Sequence, residues 1–273
     1  EGLLEDLFHE DGQGVLEHIH YGYDAGGNKV LVEKERAGMP KENGRYVYRY
    51  DALNRLTGTE KDGKPLRNYR YDTFGNRTEM EDFEKGKKSL YFYNSLNQIL
   101  SEEIWDWEGL QPDGNTGSVL SATVEYEHDF RGNLTAEYQN GKLVHGYAYN
   151  AMNRLARVWD GEGREAEYRY NGLGQRAERI GKEEGEEYLL DLSRPFHNLL
   201  ELRKGKHRQS FYWDVGVAAM EQEGDPPKYF LDDELGSPLR VLYGTGKGNI
   251  YAYDEFGNDL YGERAGATGR CSK

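Results

Sequence analysis

The sequence predicts an all-β protein made of antiparallel β-hairpin repeats. Three observations predict this class: a short tyrosine motif occurs eight times, turn-forming dipeptides lie between its copies, and the hydrophobic pattern lacks the 3.6-residue period of a helix. The first residues are the exception, because the apolar side chains between Leu3 and Phe8 could form one short turn of helix.

The repeated motif reads Tyr-x-(Tyr/His)-(Asp/Asn)-x-x-(Gly/Asn). Its Asp or Asn recurs 21 or 22 residues apart over most of the chain from Asp24 to Asn171, with two longer steps of 27 and 35 residues. A step of about 21 residues holds two strands and two turns, so the copies predict one long meander. The copies begin at Tyr21, Tyr48, Tyr69, Tyr91, Tyr126, Tyr147, Tyr168 and Tyr251.

Each position of the motif has a physical role in a hairpin. The two aromatic residues lie two apart, so they point to the same face of a strand. The Asp or Asn that follows can fold its side chain onto the backbone two residues later and start a turn. Gly and Asn, which alone occupy the last position, most readily adopt positive φ. The residue before it, such as Leu53 or Phe74, is expected to tuck the turn against its neighbour.

The structural positions predicted in this way lie in four repeats and near the C-terminus. They are Tyr48, Tyr50, Asp51, Asn54, Tyr69, Tyr71, Asp72, Gly75, Tyr147, Tyr149, Asn150, Asn153, Tyr168, Tyr170, Asn171, Gly174, Asp233, Leu235, Gly236, Tyr253, Asp254 and Gly257. A second kind of turn, the two-residue hairpin, is predicted at Asp62-Gly63, Asn140-Gly141 and Asp160-Gly161.

Two regions break the period. Residues 101–122 contain two tryptophans and turn-forming residues, which predict a longer hairpin or a projecting loop. Residues 183–250 lack the tyrosine motif but keep strand-like runs at 188–190, 211–213 and 229–231. Turns are expected between these runs, at Gly205, 224–227 and 244–248.

Composition excludes several classes of protein. The 273 residues carry a formal net charge of −14, which disfavours duplex nucleic acid and anionic membranes as partners. No apolar run is long enough for a membrane-spanning helix. The single cysteine, Cys271, excludes an internal disulfide framework and a cysteine-based zinc cluster. Aromatic residues make up 13% of the chain, which opposes intrinsic disorder.

The Tyr-Asp motif and its step resemble the YD repeats of the RHS-repeat family. The stretch 229–238, Tyr-Phe-Leu-Asp-Asp-Glu-Leu-Gly-Ser-Pro, together with the motif copy at 253–258, resembles the RHS-associated core that follows those repeats. This resemblance implies a continuous, spiralling sheet of hairpins that forms a partial YD shell. Bacterial members of the family resemble secreted polymorphic toxins whose shell encloses a C-terminal toxin, and teneurin adhesion receptors carry related shells.

The resemblance also implies a division of the chain. Residues 1–14 are expected to be an N-terminal segment at the boundary of a longer chain, 15–182 the YD repeats, 183–262 the core region, and 263–273 a truncated tail. Family members self-cleave at an Asp-Pro-x-Gly-Leu-type motif, whereas Asp225-Pro226 is followed here by Pro-Lys. No self-cleavage residues are therefore assigned, and eight repeats imply only part of a shell.

Other chemistries fit the residues less well. The tyrosines could stack on sugars, but cross-strand packing explains them and supplies a core. The motif carboxylates could bind calcium, but Asn replaces Asp in three copies. His18 and His20 could bind one metal ion together, but no third ligand follows at a known spacing. The carboxylates 232–234 are expected to be structural. No catalytic, metal or cofactor site is predicted.

These patterns predict a structural role for the chain. It would be a shell segment that helps enclose and deliver a C-terminal toxin or effector, with the remaining repeats and that polypeptide as partners, in a secreted or cell-surface protein. The alternative is a carbohydrate-binding or adhesion module, although the four tryptophans follow no period. An enzyme such as a glycosidase is disfavoured because the sequence has no catalytic motif. A β-propeller is disfavoured because the motif copies are irregularly spaced.

Overall fold

The structure is a computed structural model, and it describes residues 2–110, 116–182, 184–194, 198–244 and 248–261. Within these ranges the regular secondary structure consists of β-strands alone. They are β1 Asp6–Asp11, β2 Gly14–Tyr23, β3 Lys29–Arg36, β4 Gly44–Tyr50, β5 Leu56–Lys61, β6 Lys64–Tyr71, β7 Arg77–Asp82, β8 Lys87–Tyr93, β9 Ile99–Leu110, β10 Thr116–His128, β11 Leu134–Gln139, β12 Lys142–Tyr149, β13 Leu155–Asp160, β14 Glu165–Tyr170, β15 Arg176–Gly181, β16 Glu186–Leu190, β17 Leu199–Lys204, β18 His207–Trp213, β19 Val217–Gln222, β20 Lys228–Asp232, β21 Pro238–Tyr243 and β22 Gly248–Ile250.

These strands belong to one antiparallel sheet in which successive strands pair as hairpins. The predicted all-β class of antiparallel hairpin repeats is confirmed. The short helix expected between Leu3 and Phe8 is wrong, because β1 begins at Asp6 and pairs with β2, where Asp6 lies opposite His20. A single helical turn is unstable by itself, so pairing with a long neighbouring strand prevails. None of the described residues forms a helix that is long and apolar enough to span a membrane.

The irregular regions of the sequence form strands as well. β9 and β10 are the longest strands and pair with each other from Ser101 opposite Glu125 to Leu110 opposite Thr116, which confirms the longer hairpin. Its connection, residues 111–115, lies outside the described residues. The runs at 188–190, 211–213 and 229–231 lie in β16, β18 and β20, as predicted.

The described chain divides into two compact units. Unit 1 comprises residues 1–21, 33–44 and 186–273, and unit 2 comprises residues 22–32 and 45–185. The four segments expected from the sequence were defined by their resemblance to repeats and core and not by contacts, so that division stays a prediction. Unit 2 contains most of the tyrosine repeats, and unit 1 contains the core-like region with both ends of the chain.

Tyrosine and alanine fill much of the buried surface. On β6 the alternate residues Arg67 and Tyr69 are buried, each 3% exposed. Ala122, Ala136 and Ala166 are also buried, at 3–8% exposure. A buried tyrosine removes a large apolar area from water, so this chain forms a core with few aliphatic residues.

Both kinds of predicted turn occur. Asp62 and Gly63 have φ of 51° and 76°, and Asn140 and Gly141 have φ of 51° and 74°, as a two-residue hairpin with positive φ at both positions requires. The last position of every motif copy also has positive φ, which confirms the prediction. The values are Gly27 83°, Asn54 59°, Gly75 92°, Asn97 60°, Gly132 86°, Asn153 60°, Gly174 85° and Gly257 80°.

Substitution of Gly75 tests this backbone conformation. A Cβ at Gly75 would have no heavy atom within 4 Å, so only backbone strain opposes a side chain there. Gly75→Val should lower the free energy of unfolding by about 1–3 kcal/mol. Gly75→Asn should be nearly neutral, since Asn54 already adopts this conformation. Urea denaturation of both variants measures the difference, and equal stabilities would contradict the turn assignment.

Gly174 provides a contrasting case. A Cβ at Gly174 would lie 1.8 Å from the Arg154 guanidinium, so a substituted residue must displace this side chain. Gly174→Asn should therefore cost more than Gly75→Asn in the same assay, although both positions have positive φ.

Candidate functional site

The repeated structural site is the turn that follows each tyrosine pair. In the turn that starts at Asp51, the Asp51 N–H donates to the Arg55 carbonyl and the Asn54 N–H donates to the Asp51 carbonyl, each at 3.0 Å. The Asp51 carboxylate oxygen Oδ1 accepts from the N–H groups of Leu53 and Arg55 at 2.9 and 3.0 Å. One short side chain thus satisfies two backbone donors of its own turn, which explains the choice of Asp or Asn.

All eight motif copies form this turn. In each copy the Oδ1 atom accepts from the N–H groups two and four residues later, at distances between 2.8 and 3.1 Å. The accepting residues are Asp24, Asp51, Asp72, Asn94, Asp129, Asn150, Asn171 and Asp254.

Two further turns have the same geometry without a preceding tyrosine. Asp160 and Asp233 accept the same pair of bonds, and Gly163 and Gly236 have φ of 76° and 80°. The two-residue hairpin predicted at Asp160-Gly161 is therefore wrong. Gly161 is required for a different reason, because its Cβ would lie 2.3 Å from the Leu143 carbonyl oxygen. Asp233 and Gly236 were among the predicted structural positions, and the spacing Asp-x-x-Gly by itself would also have identified the turn at Asp160.

A β-bulge precedes the second tyrosine of the repeat. The pairing register shifts between Arg49 and Tyr50 and again between Arg70 and Tyr71. Bulges redirect a side chain relative to the strand. Here the tyrosine hydroxyl reaches back to the preceding repeat and donates to the carbonyl of the residue that follows that repeat's turn, at 2.6–3.0 Å. The pairs are Tyr50 to Lys29, Tyr71 to Leu56, Tyr93 to Arg77, Tyr170 to Leu155 and Tyr253 to Pro238.

Neighbouring turns of unit 2 are also bonded to each other. The Asn28 amide donates to Asp24 of its own turn and to the Asn54 side chain of the next turn, both at 2.9 Å. Asn54, Asn97 and Asn153 occupy the last motif position where the preceding turn has an Asn four residues after its Asp, so this bond accounts for Asn at these three positions. The same bond links Asn76 to Asn97 at 2.9 Å and Asn133 to Asn153 at 2.6 Å.

Arg55 takes the place of the asparagine in the turn that starts at Asp51 and also bonds the next turn. Arg55 bonds Asp51 in its own turn at 2.7 Å and donates to the Asp72 carbonyl of the next turn at 2.9 Å. Its guanidinium also lies 5.0 Å from the centroid of the Tyr71 ring, within the range of a cation–π contact. The turns that start at Asp24, Asp51, Asp72 and Asp129 are therefore each joined to the next turn by a side chain as well as by strand pairing.

The local environment keeps the turn carboxylates ionised and the tyrosine hydroxyls protonated, the forms in which they make these hydrogen bonds. Hydrogen bonds from the Asn side chain four residues later lower the pKa of Asp24, Asp72 and Asp129. Burial raises the pKa of Tyr50, Tyr71 and Tyr93. Burial, with the Asp259 carboxylate nearby, also raises the pKa of Tyr253 to about 12. Near neutral pH the carboxylates are charged acceptors and the phenols are protonated donors.

Comparison with known proteins identifies this architecture. The model of a family described as the Teneurin YD-shell matches residues 12–182, which is more than half of the chain. The chain belongs to the Teneurin YD-shell family.

Relatives with curated names are much longer than this YD-shell chain. Teneurin-4 of Mus musculus is 25% identical over 251 residues, which are 90% of this chain and 8% of the relative. The tRNA3(Ser)-specific nuclease WapA of Bacillus spizizenii is 30% identical over 152 residues, which are 54% of this chain and 6% of the relative. The chain thus spans less than a tenth of the relatives it matches.

Similar solved structures contain toxin components. The Photorhabdus luminescens Tc holotoxin pore matches with a TM-score of 0.37 and 17% identity, over 93% of this chain and 17% of that one. A complex titled TcdB2-TccC3-Cdc42 matches with a TM-score of 0.39 and 16% identity, over the same shares. The family assignment rests on the family model.

The first tyrosines of the YD-shell repeats are packed. Tyr21 and Tyr69 are 3% exposed and Tyr91 is 8% exposed, so these rings are not open platforms for a ligand. Tyr147 and Tyr149 also lose enough hydration that burial raises the pKa of each phenol. The arrangement fits the sheet-packing interpretation of the tyrosine pairs.

The apolar residues at the turn tips project into solvent. Leu53 is 69% exposed and Phe74 is 79% exposed, so the expectation that they tuck the turn against its neighbour is wrong. The turn is already closed by its own Asp side chain and by bonds to the next turn, and packing of the tip is not needed. The equivalent residues Leu96, Met152, Leu173 and Leu235 are also exposed.

The remaining candidate residues have structural contacts. Asp233 caps its turn, and burial raises the pKa of Asp232, whose carbonyl contacts the His9 ring at 2.9 Å. His18 and His20 both approach Asp6 Oδ1, at 3.3 and 3.1 Å, a contact that the sequence spacing did not reveal. No group of three His, Cys, Asp or Glu side chains among the described residues has the geometry of a metal site.

Removal of one tyrosine hydroxyl tests the bond between repeats. Tyr71→Phe should lower the free energy of unfolding by about 0.5–1.5 kcal/mol, because the Leu56 carbonyl loses its donor. Tyr229→Phe, at a ring that is 48% exposed, is the control and should change stability little. Equal changes in the free energy of unfolding for both substitutions in chemical denaturation would show that the hydroxyl bond does not contribute to stability.

The acid dependence of stability tests the charged turn. The folded pKa of Asp72 is lowered, so its stabilising contribution is complete above the unfolded pKa and is lost as pH falls through the folded pKa. Asp72→Asn should flatten the decline of the unfolding free energy below about pH 4, where Asp titrates. Exposed Asp225 supplies the control variant Asp225→Asn. An unchanged slope for Asp72→Asn would contradict the role of the carboxylate.

Proposed function

We propose that this chain is a structural segment of a shell wall that encloses a further part of a longer polypeptide. The observation that carries the proposal is that strand pairing joins the repeats, while tyrosine hydroxyls and turn side chains add further bonds between several of them. Such a sheet can be extended repeat by repeat, as a wall requires. Membership of the YD-shell family supports the same role.

The enclosed partner would be a C-terminal toxin or effector, and the protein would act outside the cell or at its surface. Support comes from the names of relatives, which include tRNA nucleases. The wall itself would take no part in catalysis, and its partners would be further repeats of the same shell and the enclosed polypeptide.

Proteolysis of the enclosed segment tests this proposal. In the full-length protein, the segment that follows the shell should be cleaved about tenfold or more slowly than the same segment produced alone, because cleavage must wait for opening of the wall. The same segment fused after Lys273 of the present chain should be cleaved as fast as the free segment, since eight repeats form only part of a wall. Equal cleavage of the full-length and free forms would refute enclosure.

Carbohydrate binding is the second candidate, and one cavity favours it. A cavity of about 380 Å³ in unit 1 is lined by Tyr251 and Tyr261 together with Asn249, Asp259 and Lys41. Aromatic rings beside amide and charged groups are suited to sugar binding. On a glycan array, the unsubstituted chain should bind at least one glycan that the Tyr251→Ala variant does not bind. Failure of the array to reveal such a ligand would remove this candidate.

A further inference from the structure

A buried cluster of three charged residues lies in unit 1. Glu17 on β2 is completely buried, and Arg36 at the end of β3 and Arg240 on β21 are 3% and 7% exposed. Arg36 Nε donates to Glu17 Oε2 at 2.6 Å. Arg240 donates to Glu17 Oε1 from Nε at 3.1 Å and from Nη2 at 2.9 Å. One carboxylate therefore holds two guanidinium groups.

Each arginine also binds the backbone of the segment that carries the other one. Arg36 Nη2 donates to the Tyr251 carbonyl at 2.8 Å and to the Leu239 carbonyl at 3.2 Å. Arg240 Nη2 donates to the Ala37 carbonyl at 2.6 Å. These contacts join residues that are 203 to 223 positions apart in the chain. The cluster thus fastens β21 to the first hairpins.

Stability alone does not explain such a cluster. Buried ion pairs lose hydration, and well-packed apolar residues often replace them without loss of stability. A repeat protein has a different difficulty, because its hairpins resemble one another and several of them could pack at the same place. Charged groups that match at only one arrangement exclude the alternatives.

The sequence positions of the charges support this explanation. Glu17 lies seven residues before the turn residue Asp24, and Arg240 lies seven residues after the turn residue Asp233. Seven residues before the next six motif turns, no acidic residue occurs. Those positions are Gly44, Pro65, Lys87, Ala122, Leu143 and Arg164.

The position of Arg240 is similarly distinctive. Seven residues after the eight motif turns, only one other arginine occurs, and the residues are Leu31, Gly58, Glu79, Ser101, Ala136, Arg157, Glu178 and Tyr261. Arg157 is bound to Glu165 and its side chain is 48% exposed. Glu79 or Glu178 would place a second carboxylate against Glu17, and the uncharged residues would leave the Ala37 carbonyl without this donor.

We propose that Glu17, Arg36 and Arg240 form a charge key that selects β21 as the strand that packs on the first hairpins. The key acts after most of the chain has been made, since its last member follows the first by more than 200 residues. It sets the arrangement of hairpins within unit 1, and its main effect is on specificity.

Cross-linking within the full 273-residue chain tests the key. In a Cys271→Ser background, Lys41→Cys and Asn249→Cys place two thiols in the lining of one cavity, on chain segments that precede and follow β21. A short bis-maleimide should join them in most molecules when β21 packs correctly. The triple variant Glu17→Leu, Arg36→Met, Arg240→Met should remain folded by circular dichroism, yet its cross-linked fraction should fall about threefold or more. An unchanged fraction would overturn the proposal.

Charge exchange gives a second test that does not depend on the triple variant. Glu17→Arg alone and Arg240→Glu alone should each reduce cross-linking, because they create unmatched buried charges. The double variant Glu17→Arg, Arg240→Glu keeps one carboxylate and two guanidinium groups in the cluster and restores an opposite-charge pair between positions 17 and 240, so it should recover much of the lost cross-linking. No recovery beyond the single variants would refute charge matching, even if the triple variant fails to fold.

Discussion

The structure depends on one local interaction, in which an Asp or Asn side chain accepts hydrogen bonds from the backbone N–H groups two and four residues later. In the turn at Asp51 this interaction holds Asn54 at positive φ and sets the start of β5. The bulge before Tyr50 then directs the phenol to the preceding repeat. The position of the tyrosine hydroxyl and the contacts between turns both build on this closed turn.

The tyrosines suit this architecture because they have two kinds of surface. A two-stranded hairpin buries too little to be stable by itself, so each repeat needs its neighbours. The ring of Tyr69 supplies apolar area to the sheet, whereas the hydroxyl of Tyr71 bonds the Leu56 carbonyl of the preceding repeat. One residue type thus provides both the core and a directed link, which allows a chain poor in aliphatic residues to fold.

Local features of the fold could be predicted from the sequence, and features that depend on distant contacts could not. The motif predicted the positive φ of Gly75 and Asn54, because those conformations follow from residue type and position. The turn at Asp160 was predicted as a two-residue hairpin, because Asp160 is followed by Gly161 and lacks the preceding tyrosine of the motif. The exposure of Phe74 depends on bonds between turns, and only the folded structure brings such turns together.

The contact of Glu17 with Arg240 had no sequence signal of its own. The two residues are 223 positions apart, and neither belongs to the motif. Their roles become visible only after the repeats are aligned on their turns, which shows that the same position elsewhere carries other residues. Hairpins of one repeat family can therefore differ in function at positions outside the shared motif.

Hydrogen exchange of the turn amides tests the central claim most directly. Leu53 and Phe74 project into solvent, yet their N–H groups are bonded to the side chains of Asp51 and Asp72. The account predicts that both amides exchange far more slowly than in an unstructured peptide and that Asp72→Ala releases the Phe74 amide before the flanking strands open. Exchange of both amides at the rate of an unstructured peptide in the native protein would contradict the account.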